Sequence, residues 1–524
     1  MVDRGVPEAR AACSNQDGNG VREDVVADDV ARQIASGYAT GGAALELGAV
    51  VVDGVPDAGA AVRIPLATVN RHGLVSGATG TGKTKTLQLL AEQLSDAGVP
   101  VLLADVKGDL SGMVEPGRAD QVAERAAEVG DAWRATGYPV QFWSLGTRGR
   151  GVPVRATVTS FGPLLLAKVL GLNPTQESTL GLIFHWADQR GLALLDLKDL
   201  RAVIQFLTSD EGAAELQGVG GVSPATAGVI LRALSNLEAR GGEEFFGEPE
   251  LAVADLMRQV DGRGVVNLLE LDDVQSDPVL FSTFLMWLLA ELFEELPEAG
   301  DLDRPKLVFS FDEAHLLFSD ASKAFLQRIE QTVKLIRSKG VGIFFCTQLP
   351  TDLPGTVLSQ LGARVQHAIR AFTPDDQEAL SRTVKTFPTT EHYRLDEALT
   401  SLGTGEAIVT VLSEAGAPTP VAWTRLRAPR SLMGAIGEEA VRENAASSPL
   451  WERYRESVDR ESAYERLAAK VAAPVREEPA AATERPGLVQ QAMENPAVRS
   501  FVRSAASALG REITRGLFGN RRRR

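Results

Sequence analysis

The run GATGTGKT, residues 77–84, is the stretch on which the fold turns. It satisfies G-x-x-x-x-G-K-[ST], with Gly77, Gly82, Lys83 and Thr84 at the demanded positions. Glycines there let the backbone N–H groups of Ala78, Thr79, Gly80 and Thr81 turn inward around a phosphate chain. The helix that follows adds the partial positive charge of its N-terminus. Lys83 is expected to reach the terminal phosphates of ATP and Thr84 to bind Mg²⁺ through its hydroxyl, and Lys85, next on the helix, is counted among the nucleotide contacts. The competing reading is a Gly-rich turn that matches by accident. The flanks speak against it, because an apolar run, 73–75, precedes the loop and an apolar helical pattern, 84–94, follows.

Outward from the loop, short apolar runs alternate with amphipathic helices, the pattern of a parallel sheet with crossover helices. The candidate strands are 73–75, 100–104, 140–143, 264–271, 306–311 and 341–346, with 363–369 and 406–412 further on. Residues 44–64, with turn signals at Asp53-Gly54 and Pro56-Asp57, read as a hairpin leading into the core. From about 155 to 260 the rhythm gives way to helical patterns such as 177–189 and 197–207, which predicts a mostly helical insertion. The apolar run 279–290 is too short to span a bilayer and reads as a buried helix. The expected class is α/β with a mostly parallel sheet. The expected division is an N-terminal arm (1–43), an ATPase domain (44–440), a charged helix with a Pro/Ala/Glu linker (441–486) and a basic amphipathic helical tail (487–524).

A phosphate loop needs a second acid to hold the metal, and three apolar runs end in one. Asp312 and Glu313 give two adjacent carboxylates directly after the buried run LVFSF, so Asp312 is assigned to Mg²⁺ and Glu313 to polarising water; an acid pair at a helix N-terminus is the alternative. Glu270 and Asp272 read as core-strand and turn residues. Asp105 begins DVKGD just past a strand end, where it either supports the site or caps a turn. Gln348, after VGIFFCT, is a candidate for sensing the terminal phosphate or orienting water, against an ordinary turn before Pro350. Arg364 and Arg370 are candidates for an arginine finger toward a neighbouring subunit's nucleotide, with a surface ion pair as the other reading of Arg364.

The net charge of −15 means that nucleic acid would be met by a local basic element and not by the whole surface. One exists: Arg499, Arg503, Arg511, Arg515, Arg521, Arg522, Arg523 and Arg524 stand against a single acid, Glu512. That tail has three readings, a DNA contact through phosphates, a contact with an anionic membrane surface, or a solvated tail. Hydrophobic residues at 44% and charged residues at 23% exclude a chain disordered throughout. Only Cys13 and Cys346 occur, too few for a disulfide framework, and the N-terminal residues show no targeting pattern; a cytoplasmic protein is expected.

Together GATGTGKT, DVKGD, LVFSFDEAH, FFCTQ and ARVQHAIRAF resemble the HerA-like branch of the HerA and FtsK ATPases, more closely its YjgR-type bacterial members. The resemblance covers roughly residues 45–440. It implies a RecA-like sheet, ATP hydrolysis between subunits of a ring, a hexamer in this reading, and DNA translocation or unwinding. It also implies phosphate and metal roles for Lys83 and Thr84, the metal and catalytic roles of Asp312 and Glu313, and the sensor role of Gln348. An ATPase that remodels or anchors a protein complex is the competing class. Residues 312–315 also spell the box of the DEAH-type RNA helicases, but the later Arg-rich motif of those enzymes has no match after it.

Overall fold

The computed structural model describes residues 29–105, 108–147, 149–216, 220–270, 278–300, 302–318 and 323–472. Most of the expected arm, Lys107, Asp272, the linker from 473 onward and the basic tail with its eight arginines lie outside the described residues. The residues up to Ala468 form one compact unit; the second unit begins at Ala469 and is described only as far as 472.

Among the described residues, fourteen strands follow the chain in order. They are β1 (Ala44–Val52), β2 (Val55–Pro65), β3 (Gly73–Ser76), β4 (Val101–Asp105), β5 (Val140–Leu145), β6 (Val152–Val154), β7 (Gln259–Val260), β8 (Arg263–Gly264), β9 (Val266–Glu270), β10 (Leu307–Phe311), β11 (Val341–Thr347), β12 (Ala363–Gln366), β13 (Glu406–Thr410) and β14 (Ala422–Leu426). Twelve of these form one sheet in the order β2-β1-β14-β13-β12-β3-β11-β10-β4-β9-β5-β6, and β7 and β8 make a small hairpin. From β12 to β6 neighbouring strands are parallel. Beyond β12 the order β13, β14, β1, β2 is an antiparallel wing.

Burial explains the sequence pattern. Every residue of β3, β4, β9, β10 and β11 is buried, as parallel strands covered on both faces must be, and these read as continuous apolar runs. In the wing, β14 alternates buried and half-buried residues, as a strand packed mainly on one face does. The candidate strand 363–369 stops at Gln366, because the chain there turns to bond the phosphate loop: His367 N donates to Ser76 O (2.7 Å) and Ala368 O accepts from Ala78 N (2.8 Å).

Between β6 and β7 the chain is helical, with the Pro174–Gln189, Leu197–Leu207 and Pro224–Ala239 helices capped by Asn173, Asp196 and Ser223. This helical stretch meets the buried Pro278–Glu295 helix through an edge-to-face cluster of Phe161, Phe245, Phe246 and Phe284. The parallel strands β3, β4, β10 and β11 all end at one edge of the sheet, and the loops that leave that edge carry the candidate residues.

Candidate functional site

The phosphate loop connects β3 to the Lys83–Asp96 helix. Gly77 (φ 148°) and Gly82 (φ 117°) hold backbone conformations that L side chains rarely adopt, and a Cβ on Gly77 would come within 2.5 Å of the His367 Cβ. Neighbouring strand ends fix the loop. Gly77 N donates to the carbonyls of Thr347 (3.2 Å) and Gln348 (3.1 Å), and Thr81 O accepts from Gly405 N (3.1 Å). Lys83 Nζ donates to the carbonyls of Gly77 (2.7 Å) and Ala78 (3.1 Å), so the ammonium lies across the mouth of the loop. Thr79 and Gly80 are exposed at its tip, and Lys83, Thr84 and Lys85 are half-buried. Burial pulls the Lys85 pKa below its ordinary value, against the opposing charges of Asp109 and Asp105.

The acid pair follows β10. Glu313 has a φ of 47°, left-handed for a residue with a side chain, and its amide donates to Asp312 Oδ1 (2.9 Å) while the next amide, of Ala314, donates to Cys346 O (2.8 Å). Glu313 Oε2 is buried and accepts no hydrogen bond, with His315 Nδ1 3.5 Å away. Cys346 is buried beside Asp312; burial first, and then the Asp312 charge, push its thiol pKa well up, so it stays protonated.

The remaining candidates fall at different distances from this centre. Asp105 is buried at the end of β4, and its Oδ2 accepts from Leu110 N (2.8 Å). Glu270 is a buried member of β9. Gln348 is exposed, with its own carbonyl bonded to Gly77 N. Arg364 is held within its own subunit: the guanidinium donates to the carbonyls of Thr386 and Leu358, and burial lowers its pKa. Arg370 is exposed and donates to Thr79 O (3.2 Å), at the tip of the loop.

The family model described as Helicase HerA-like C-terminal matches residues 52–487. The chain belongs to that family. It is 31% identical over 156 residues to the Probable helicase MJECL08 of Methanocaldococcus jannaschii, a match that spans 28% of this chain and 28% of that relative's length. Among solved structures it is similar to the bacterial conjugative coupling protein TrwBΔN70, with a TM-score of 0.50 at 15% identity over 77% of this chain and 94% of that one. VirB4 of Thermoanaerobacter pseudethanolicus gives a TM-score of 0.47 at 15% identity, over 75% and 98% of the two chains. The HerA-like chain thus has a RecA-like P-loop NTPase fold.

Two features of this HerA-like site have no mark in the sequence. A cavity of about 350 Å³ opens beside the loop, lined among others by Gly82, Lys85, Thr86, Arg125, Gly405 and Arg425. Arg125 shapes it by donating to the carbonyls of Thr404 (3.1 Å), Gly405 (3.0 Å) and Leu426 (3.2 Å), although in the sequence it is one basic residue in a short charged helix. The other is the place of His367, buried beneath the loop: the residue belongs to the quoted run ARVQHAIRAF, but nothing in that run tells of its burial there.

Proposed function

We propose that this HerA-like chain is a cytoplasmic, ATP-hydrolysing motor that works as a ring of copies, a hexamer, and couples turnover to movement along DNA. The observation that carries the hydrolysis reading is the half-buried Glu313 carboxylate, on a left-handed backbone just past β10, with its buried Oε2 accepting no hydrogen bond. An acceptor so placed fits a water facing the terminal phosphate: it takes the water's proton as the oxygen attacks phosphorus and ADP leaves. Lys83 exchanges the Gly77 and Ala78 carbonyls for phosphate oxygens when the loop fills. The loop amides from Ala78 to Lys83 hold those oxygens.

Thr84 and Asp312 are the side chains suited to Mg²⁺, which typically takes one or two protein ligands with substrate phosphates and water. When bound, the ion neutralises charge on the phosphate oxygens. The phosphate chain runs toward the helix N-terminus, so the nucleoside emerges by Lys85 and Thr86 into the cavity beside Arg125. Arg370, exposed at the loop tip where it donates to the Thr79 carbonyl, suits the finger better than Arg364, whose half-buried guanidinium is bonded to two carbonyls of its own chain. The helicase description of the family and the arginine-rich tail support DNA as the track.

The test is ATP turnover at low salt with single- and double-stranded DNA, for the full chain and for one lacking residues 487–524, with Lys83→Ala as the non-binding control. Stimulation by DNA that vanishes with the tail is expected. Turnover indifferent to both DNAs would end the translocase reading and leave an ATPase that remodels a protein complex.

A further inference from the structure

His367 leaves β12 directly beneath the phosphate loop, and its side chain is fully buried at 0% exposure. Its ring fills the space under both ends of that loop: the Cβ lies against Gly77, and a Cβ on Gly82 would come within 3.3 Å of the His367 Cε1. Nε2 is 2.9 Å from the Thr86 hydroxyl oxygen in the first turn of the following helix. That hydroxyl has one proton to give, and its distance to the alternative acceptor, the Gly82 carbonyl, is 3.3 Å. A hydroxyl serves Nε2 equally as donor or acceptor, whereas the backbone carbonyls near the ring, of Glu406 and Thr81, can only accept; the tautomer that gives both nitrogens a usable neighbour has Nε2 accepting from Thr86 and the hydrogen on Nδ1.

Burial, with Lys83 adding to it, holds the ring pKa down to about 4, while the carbonyls of Glu406 and Thr81 pull the other way without overcoming it. The ring is therefore neutral at pH 7. Its Nδ1 is buried and makes no hydrogen bond of normal geometry, although the Glu406 and Thr81 carbonyls are near enough to act on the ring. A buried donor without an acceptor is costly, and structures in which one survives gain stability from any movement that supplies the acceptor. Here the nearby carbonyls belong to the phosphate loop itself (Thr81) and to β13 (Glu406), two segments already joined by the Gly405 N to Thr81 O bond (3.1 Å).

We infer that His367 is a positioning residue for the phosphate loop: it braces the loop against Thr86, and its buried Nδ1–H gains the Thr81 carbonyl as acceptor when the loop closes on phosphate. The inference rests on the nucleotide reading above. It makes β12 and β13, which touch the nucleotide nowhere else in that reading, sensors of whether the loop is filled.

The test uses the full chain with ¹⁵N-labelled histidine and a non-hydrolysable ATP analogue with Mg²⁺, the His367 signals being assigned with His367→Asn. The Nδ1–H tautomer in the free protein and a downfield shift of its proton on adding the analogue are expected. His367→Ala, checked for folding by its thermal transition, should bind the analogue at least about tenfold more weakly, and His367→Asn, which restores a donor, should recover part of that loss. An Nε2–H tautomer, a ring signal unmoved by bound analogue, or a folded His367→Ala with wild-type affinity would overturn the inference while leaving the nucleotide reading intact. Wild-type protein that binds no analogue would overturn both.

Discussion

Two buried histidines set an acid limit on the fold at the scale of single residues. His72 donates from Nε2 to Val333 O (2.9 Å) and accepts at Nδ1 from Ile343 N (3.0 Å), so it is fixed as a neutral tautomer; like His367, it is held by burial at a pKa of about 4. Unfolded histidine titrates near ~6.5, so as the pH falls the unfolded chain takes up protons first. The stability these rings contribute is complete above about pH 6.5 and drains away as the pH drops to about 4, on the order of 3 kcal/mol for each. Urea unfolding at pH 7, 5.5 and 4.5 should show the decline, with a shallower slope in His367→Asn; a flat profile would contradict it. The role of neither histidine is legible in the sequence, although His367 falls within ARVQHAIRAF, since what sets each apart is its burial between segments far apart in the chain. Gly77, Gly82, Lys83 and the pair Asp312-Glu313 could be read because their chemistry demands a fixed local spacing. The left-handed backbone of Glu313 could not, because only glycine advertises that conformation.

Among the elements, the Lys83–Asp96 helix is pinned to the segment that follows β14. The buried Glu92 carboxylate accepts from Arg430 N (2.7 Å), Ser431 N (3.0 Å) and the Ser431 hydroxyl, and Gln88 Nε2 donates to Ser431 Oγ (2.8 Å) and Leu432 O (3.1 Å). Glu92→Ala leaves two amides and a hydroxyl without their acceptor and is expected to cost about 3 kcal/mol. A loss below about 1 kcal/mol in chemical denaturation would show that water replaces the carboxylate. The pin has no mark in the sequence, because its partners, Arg430 and Ser431, lie more than 300 residues from Glu92. The central strands were legible for the opposite reason, since strands covered on both faces require unbroken apolar runs. Where the strand is short and holds a proline, as in β6, or half-buried and beside Pro418 and Pro420, as in β14, that signal fails.

For the whole molecule, the proposed ring places Arg370 of one copy at the nucleotide of the next. Arg370→Ala mixed with wild-type chain should depress turnover more steeply than its mole fraction, whereas Arg364→Ala should lower stability and dilute activity only in proportion; equal, proportional effects would contradict a shared site. In the proposed reading, hydrolysis at Glu313 underlies every step from the filled loop to movement on DNA. The most direct measurement is ATP affinity and steady-state turnover of Glu313→Gln beside the wild type. Affinity unchanged within about twofold and turnover slower by about 100-fold or more are expected. Near-normal turnover by a variant that still binds ATP would contradict the assignment of the catalytic acid.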